Sequence, residues 1–162
     1  MTRLTTLFFA ALLALGSIHT VAAQTSDDAS HEVTIDIEEM NAITVGSDVT
    51  ITLDAVTAGQ APTPKSAEST YRLTTNSTDA RKVTAAISGF DQEGITLKAE
   101  LTAPGAGQSA GQKTLTDEPV NLVNDISQTA GTGSITYTAE ATAQSDPGSY
   151  SQTVTYTVMG GQ

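Results

Sequence analysis

The chain has 162 residues, no cysteine, no tryptophan, and 18 acidic against 7 basic side chains. That composition excludes a disulfide framework and makes nucleic acid a poor partner, because binding it depends on basic groups displacing condensed counterions. Anionic membrane is disfavoured for the same reason, and the length suits one domain able to bury roughly two thirds of its chain surface.

Arg3 is the only early charge, an apolar run extends from Leu7 to Leu15, and small residues follow at Val21, Ala22 and Ala23. A charged start, a short apolar stretch and a small-residue cleavage site make residues 1–23 a signal peptide, cut after Ala23. A membrane span takes about 20 apolar residues, and Gly16, Ser17, His19 and Thr20 interrupt this run too early. No later segment is long and apolar enough, and the closing TYTVMGGQ carries no hydrophobic tail. The mature chain is therefore expected to be exported to the periplasm, exterior or cell surface without inserting in a membrane. It would keep all 18 acidic residues, a balance that keeps secreted proteins dispersed.

Residues 24–31 (QTSDDASH) hold no apolar side chain larger than alanine and read as a flexible leader. The domain proper is expected over residues 32–162. Its first strand is announced by Val33, Ile35 and Ile37 alternating with Thr34, Asp36 and Glu38, since period two marks a half-buried strand. The same signature recurs at Ile43 and Val45, and at Val49, Ile51 and Leu53, with a turn or bulge at Gly46–Asp48 between them. Further strands are expected at Tyr71 and Leu73, at Val83 to Ile87, at Ile95 to Leu101, near Leu115, and at Val120 and Leu122. The last two run from Ile135 to Ala141 and from Val154 to Val158. Turn-rich segments separate them, starting at Thr57, Ser88, Ala103, Ser127 and Gln144. No mature segment carries helical spacing, so the chain is all-β, with about 8 to 9 strands.

Threonine, used 28 times, falls largely on the outward positions of these strands. Its β-branch costs little in extended backbone and its hydroxyl suits a wet sheet face. Short antiparallel strands with one wet face each make a two-sheet sandwich the economical architecture, with a closed barrel as the alternative.

Chemistry is sparse. The only histidine after the signal is His31, in the leader, where nothing orients it for a serine triad or completes a zinc site. Acidic pairs occur at Asp27 and Asp28, Glu38 and Glu39, Asp91 and Glu93, and Asp117 and Glu118. Paired carboxylates can serve a glycosidase and loop carboxylates can bind calcium. Phe90 and four tyrosines are nonetheless the whole aromatic supply of the mature chain for stacking a sugar. The pairs read as solvated surface, with Asp91, Glu93, Asp117 and Glu118 the nearest to a calcium set. No catalytic, cofactor-binding or metal residue is assigned, and no enzymatic activity is expected. Asn76, Ser77 and Thr78 spell a glycosylation sequon. Tyr71, Tyr137, Tyr150 and Tyr156 are expected to pack in the core or make corner hydrogen bonds.

The two ends are the most suggestive feature. His31 to Met40 reads as an alternating strand behind a flexible leader, able to pair in its own domain or to complete a neighbour's sheet. The closing PGSYSQTVTYTV, with Gly148, Tyr150, Val154, Tyr156 and Val158, resembles the last strand of fimbrial-type bacterial surface subunits and spore coat protein U-like proteins. The layout of signal, polar leader, alternating strand and Thr-rich strands is similar to theirs across most of the mature chain. The resemblance implies an immunoglobulin-like antiparallel β-sandwich whose subunits polymerise by exchanging an N-terminal strand. Two departures stand out: the disulfide common in those families cannot form here, and Tyr156, not a residue beside the C-terminus, is the last tyrosine. The expected function is a secreted or surface structural and adhesive protein, partnered by itself or by other surface proteins. The alternative is a glycan- or protein-binding module using the glycine-rich loops Ala103–Lys113 and Ser127–Ser134.

Overall fold

The computed structural model describes residues 27–88 and 92–161. Residues 1–23, expected to be a signal peptide, lie outside the described residues, as do Phe90 and Asp91. The chain divides into a unit up to Asp36 and a unit Ile37–Gln162. In the first, the described residues form no strand, and Val33 and Ile35 are 68% and 78% exposed. Every described strand belongs to the second, between Asn41 and Gly160.

That unit is all-β, with no helix among the described residues and nine strands in two antiparallel sheets. The strands are β1 (Asn41–Val45), β2 (Lys65–Thr75), β3 (Arg81–Ile87), β4 (Ile95–Leu101), β5 (Gln108–Ser109), β6 (Lys113–Thr114), β7 (Val120–Ile126), β8 (Thr129–Ala141) and β9 (Val154–Gly160). One sheet has the order β1-β2-β8-β4-β6 and the other β5-β7-β3-β9. The spine of the first is the long β2–β8 ladder, in register from Lys65 opposite Ala139 to Thr75 opposite Thr129.

Period-two patterning places the core. Tyr71, Leu73 and Thr75 of β2 are buried while Arg72 and Thr74 between them are exposed. Ala99 and Leu101 of β4 and Ile135 of β8 join them from the first sheet, and Val83, Ala85, Ile87, Leu122, Val123 and Ile126 from the second. The two sheets thus share one apolar core in a sandwich-like arrangement, each large aliphatic side chain contributing about 1.5–3 kcal/mol on burial. Consecutive Leu122 and Val123 are both fully buried because the β3–β7 register shifts between Arg81 and Thr84. An irregular ladder of this kind turns two successive side chains off the simple alternation.

Three sequence expectations are corrected. Residues 32–38 are in no strand: Ile37, like Val33 and Ile35, is mostly exposed. Alternation there describes a face that no described strand covers. Val49, Ile51 and Leu53 are half-buried and alternate with exposed Thr50, Thr52 and Asp54, but they too are outside any strand. The β1–β2 pairing ends just after Val45, where the Gly46 N–H donates to the Thr70 carbonyl at 2.7 Å, and the next main-chain bond from this segment is Thr63 to Ala55. Finally, the glycine-rich stretch Ser127–Ser134 is no loop beyond Gln128. Its remainder is the first half of β8. Gly131 is required there because a Cβ would lie 1.6 Å from the Pro104 carbonyl oxygen, and Gly133 because one would lie 2.4 Å from the Tyr71 ring.

Candidate functional site

β9 is an edge strand, paired only with β3. The phase of that ladder follows from two bonds at its ends. The Ile87 N–H donates to the Thr116 carbonyl at 2.9 Å, away from β9, and the Gly161 N–H donates to the Ala80 carbonyl at 2.8 Å. Alternation then turns the main-chain groups of Thr155, Thr157 and Met159 toward β3, and those of Val154, Tyr156, Val158 and Gly160 toward the open side. Among the described residues no strand meets them there. An edge that presents free N–H and C=O groups is a template for another strand.

The side chains tell the same story. On β3, Val83, Ala85 and Ile87 are buried. On β9, their cross-strand partners Val158, Tyr156 and Val154 pack on the core but stay only half-buried. The core is closed on the β3 side and thins at β9. β1, the edge strand of the other sheet, approaches β9, and its inward Ile43 is also half-buried. On this flank the inward apolar side chains of both edge strands are thus only half-buried.

Tyr156 also ties the sheets together, its hydroxyl 2.7 Å from that of Tyr137 on β8. Burial pushes the Tyr156 phenol far up, and its bond to Tyr137 adds to the shift. Burial raises Tyr137 as well, partly opposed by the same bond. The Tyr71 hydroxyl donates to the Thr102 carbonyl at 2.6 Å, and burial lifts its pKa to about 12. The Tyr150 hydroxyl donates to the Asp146 carbonyl at 2.7 Å. All four tyrosines thus have structural partners.

The other half of the candidate site is the exposed segment before β1. Val33, Ile35 and Ile37 repeat at the spacing of Val154, Tyr156 and Val158 and are 68–78% exposed. Just after Ile37 the chain becomes fixed. The Met40 N–H donates to Asn76 Oδ1 at 2.7 Å, Asn76 Nδ2 donates to the Glu38 carbonyl at 2.8 Å, and the Asn76 N–H donates to the Met40 carbonyl at 3.3 Å. Glu39 is gripped from both oxygens, by Asn41 Nδ2 at 2.8 Å and Arg81 at 2.5 Å. The sequon asparagine is thus bonded to its own chain.

Glu93, Asp117 and Glu118, the described members of the candidate calcium set, form no metal-holding group. Among the described residues no group of three or more His, Cys, Asp or Glu side chains is arranged to hold a metal ion. Glu93 precedes β4, while Asp117 and Glu118 lie in the β6–β7 turn, where the Thr116 hydroxyl donates to the Glu118 carbonyl. The glycine-rich segment 103–113 is tied down too. The Ala110 N–H donates to the Leu122 carbonyl at 2.8 Å. At Gly107, with φ +107°, a Cβ would lie 2.8 Å from the Asn124 carbonyl oxygen. The hollow lined by Glu38, Glu39, Asn76 and Asp79 is shallow and polar, and no described helix is long and apolar enough to cross a membrane.

No protein-family model matches the chain, and no curated protein sequence matches it.

Proposed function

We propose that this protein is an exported, non-enzymatic structural subunit with an immunoglobulin-like sandwich, built to assemble by strand exchange. The arm His31–Ile37 of one copy lies along β9 of the next. The observation that carries this reading is the match between two incomplete features. An uncovered segment offers three β-branched apolar side chains at period two, and an edge strand offers three half-covered apolar positions at the same period.

An arm seated on β9 gains a main-chain ladder, while alternate side chains enter the thin part of the core. Burying Val33, Ile35 and Ile37 is worth about 1.5–3 kcal/mol each at full coverage. Charge favours the same occupant. With its apolar side inward the arm turns Glu32, Thr34 and Asp36 to the outer face of the β9 sheet. Lys82 stands on that face opposite Met159 and makes no ion pair among the described residues.

The test is light scattering across a wide concentration range on residues 24–162 and on the same chain lacking residues 24–37. The full arm should give mass that grows with concentration and resists denaturant, and its removal should leave a monomer of nearly unchanged stability. A monomer at every concentration with the arm present would remove strand exchange from the account.

A further inference from the structure

We propose that Asn76 is the positioning residue that roots the arm and sets where the exchangeable segment ends, an inference that rests on the assembly reading for its consequence. The last regular rung of the β1–β2 ladder is Asn41 opposite Thr75. One position further, the Asn76 main-chain N–H still bonds to the Met40 carbonyl, but β2 has ended and offers no further peptide group. The side-chain amide takes over that role. It accepts from the Met40 N–H and donates to the Glu38 carbonyl, as a partner strand's peptide group would. A primary amide is the only neutral side-chain group that supplies a carbonyl acceptor and an N–H donor on one planar unit.

The grip does two things. It engages the Glu38 carbonyl and both main-chain groups of Met40, so these residues belong to their own domain and cannot be lent to another copy. The exchangeable arm is thereby shortened from the His31–Met40 strand that the sequence suggests to the residues before Glu38. It also places Ile37 directly beside a fixed point. At about 3.3 Å per residue, His31–Ile37 spans about 23 Å, the length of the seven-residue β9. No slack remains between arm and domain, so the neighbouring copy is held in one orientation and the assembly is regular. The Arg81–Glu39 pair and the Thr75 hydroxyl, bonded to Asn41 Oδ1 at 2.7 Å, brace the same root.

This role is separable from glycosylation of the sequon. Thr78→Ala abolishes the sequon and leaves the amide bonds, whereas Asn76→Ala removes both, and Asn76→Asp retains the acceptor for Met40. Every described strand lies after residue 40, so residues 24–162 hold all of the described strands. Hydrogen exchange is read on that chain, at a concentration where it is monomeric. The Met40 amide should exchange about tenfold faster in Asn76→Ala, the weight of one lost hydrogen bond. It should stay protected in Thr78→Ala and largely protected in Asn76→Asp, with Val83 and Ile135 unchanged in all three. An unaltered Met40 amide in Asn76→Ala, or an equal loss in Thr78→Ala, overturns the proposal. If the parent assembles, the mean polymer mass of Asn76→Ala should fall severalfold, and equal polymer length would overturn the consequence for assembly. A parent that never assembles instead contradicts the strand-exchange reading, while the exchange data still decide the role of Asn76.

Discussion

Gly131→Ala separates two opposed pictures of the glycine-rich stretch by sign. In β8 the added Cβ would lie 1.6 Å from the Pro104 carbonyl oxygen and 2.7 Å from its carbon, where contacts under 3.0 Å are essentially never seen. Neither side yields easily: Gly131 is held opposite Leu73 in the ladder, and Pro104 is fully buried. Forcing the backbones apart places the change at the upper end of overpacking costs, about 3 kcal/mol. In a flexible glycine-rich loop the same change would stabilise by about 0.4–1 kcal/mol, through the unfolded chain. Urea unfolding decides between them. With a slope of about 2 kcal/mol per molar, the midpoint should fall by about 1.5 M. Gly59→Ala is the control, since φ is +81° but nothing lies within 4 Å of the new Cβ. It should cost only the left-handed strain of about 1–2 kcal/mol. A midpoint for Gly131→Ala equal to or above the parent's would refute the packing of Pro104 against β8.

Tyr156→Phe leaves the Tyr137 hydroxyl half-buried without its partner and should cost about 1–2 kcal/mol. The double change to Phe at both positions should cost less than the sum of the singles, and strict additivity would contradict the 2.7 Å bond. Alkaline titration gives a signed prediction. The folded phenols of Tyr71, Tyr137 and Tyr156 all hold their protons past the ordinary tyrosine value of 10.0. Their contribution is therefore whole below about pH 10 and is lost as pH rises through about 12, where Tyr71 titrates. Thermal melting followed from pH 8 to 12 should show Tm falling only in the upper half of that range, and Tyr71→Phe should soften the fall. A Tm that rises above pH 10 would contradict the burial of these hydroxyls. Ile35→Asp should leave urea stability within about 0.5 kcal/mol, because the side chain is mostly exposed. It should suppress assembly, and unchanged polymer mass in this variant would count against the arm.

Much of the fold was legible because strands buried on one face declare themselves at period two. Val83 to Ile87, Ile95 to Leu101 and Val154 to Val158 all lie in strands where alternation placed them. The first half of β8 was not legible, because Gly131 and Gly133 look like turn residues until Pro104 and the Tyr71 ring are set against them. Alternation at Val49–Leu53 matches a half-buried face, whereas at Val33–Ile37 the apolar side chains are mostly exposed; in neither place could it report whether a ladder would form, since pairing depends on which strand lies alongside. Half of β2 was hidden for a simpler reason: Lys65, Ala67 and Ser69 sit at its half-buried positions and carry no apolar signal beyond alanine. The root of the arm was equally hidden. Asn76 presents itself in sequence as a sequon, and only the placement of Glu38 and Met40 shows what its amide holds.

The central claim is that the arm of one copy seats on β9 of another, and the absence of native cysteine allows it to be read directly. One copy carries Thr34→Cys, on the outward side of the arm. A second carries a single cysteine in place of Thr155, Thr157 or Met159, on the outward side of β9. Side chains on neighbouring strands come within about 4.5–5.5 Å, close enough for a disulfide to form with small adjustment. Mixing and mild oxidation should give a mixed disulfide at one of the three positions, well above that formed with a cysteine at exposed Thr70 on the other sheet. Equal yields at all four positions would contradict strand exchange.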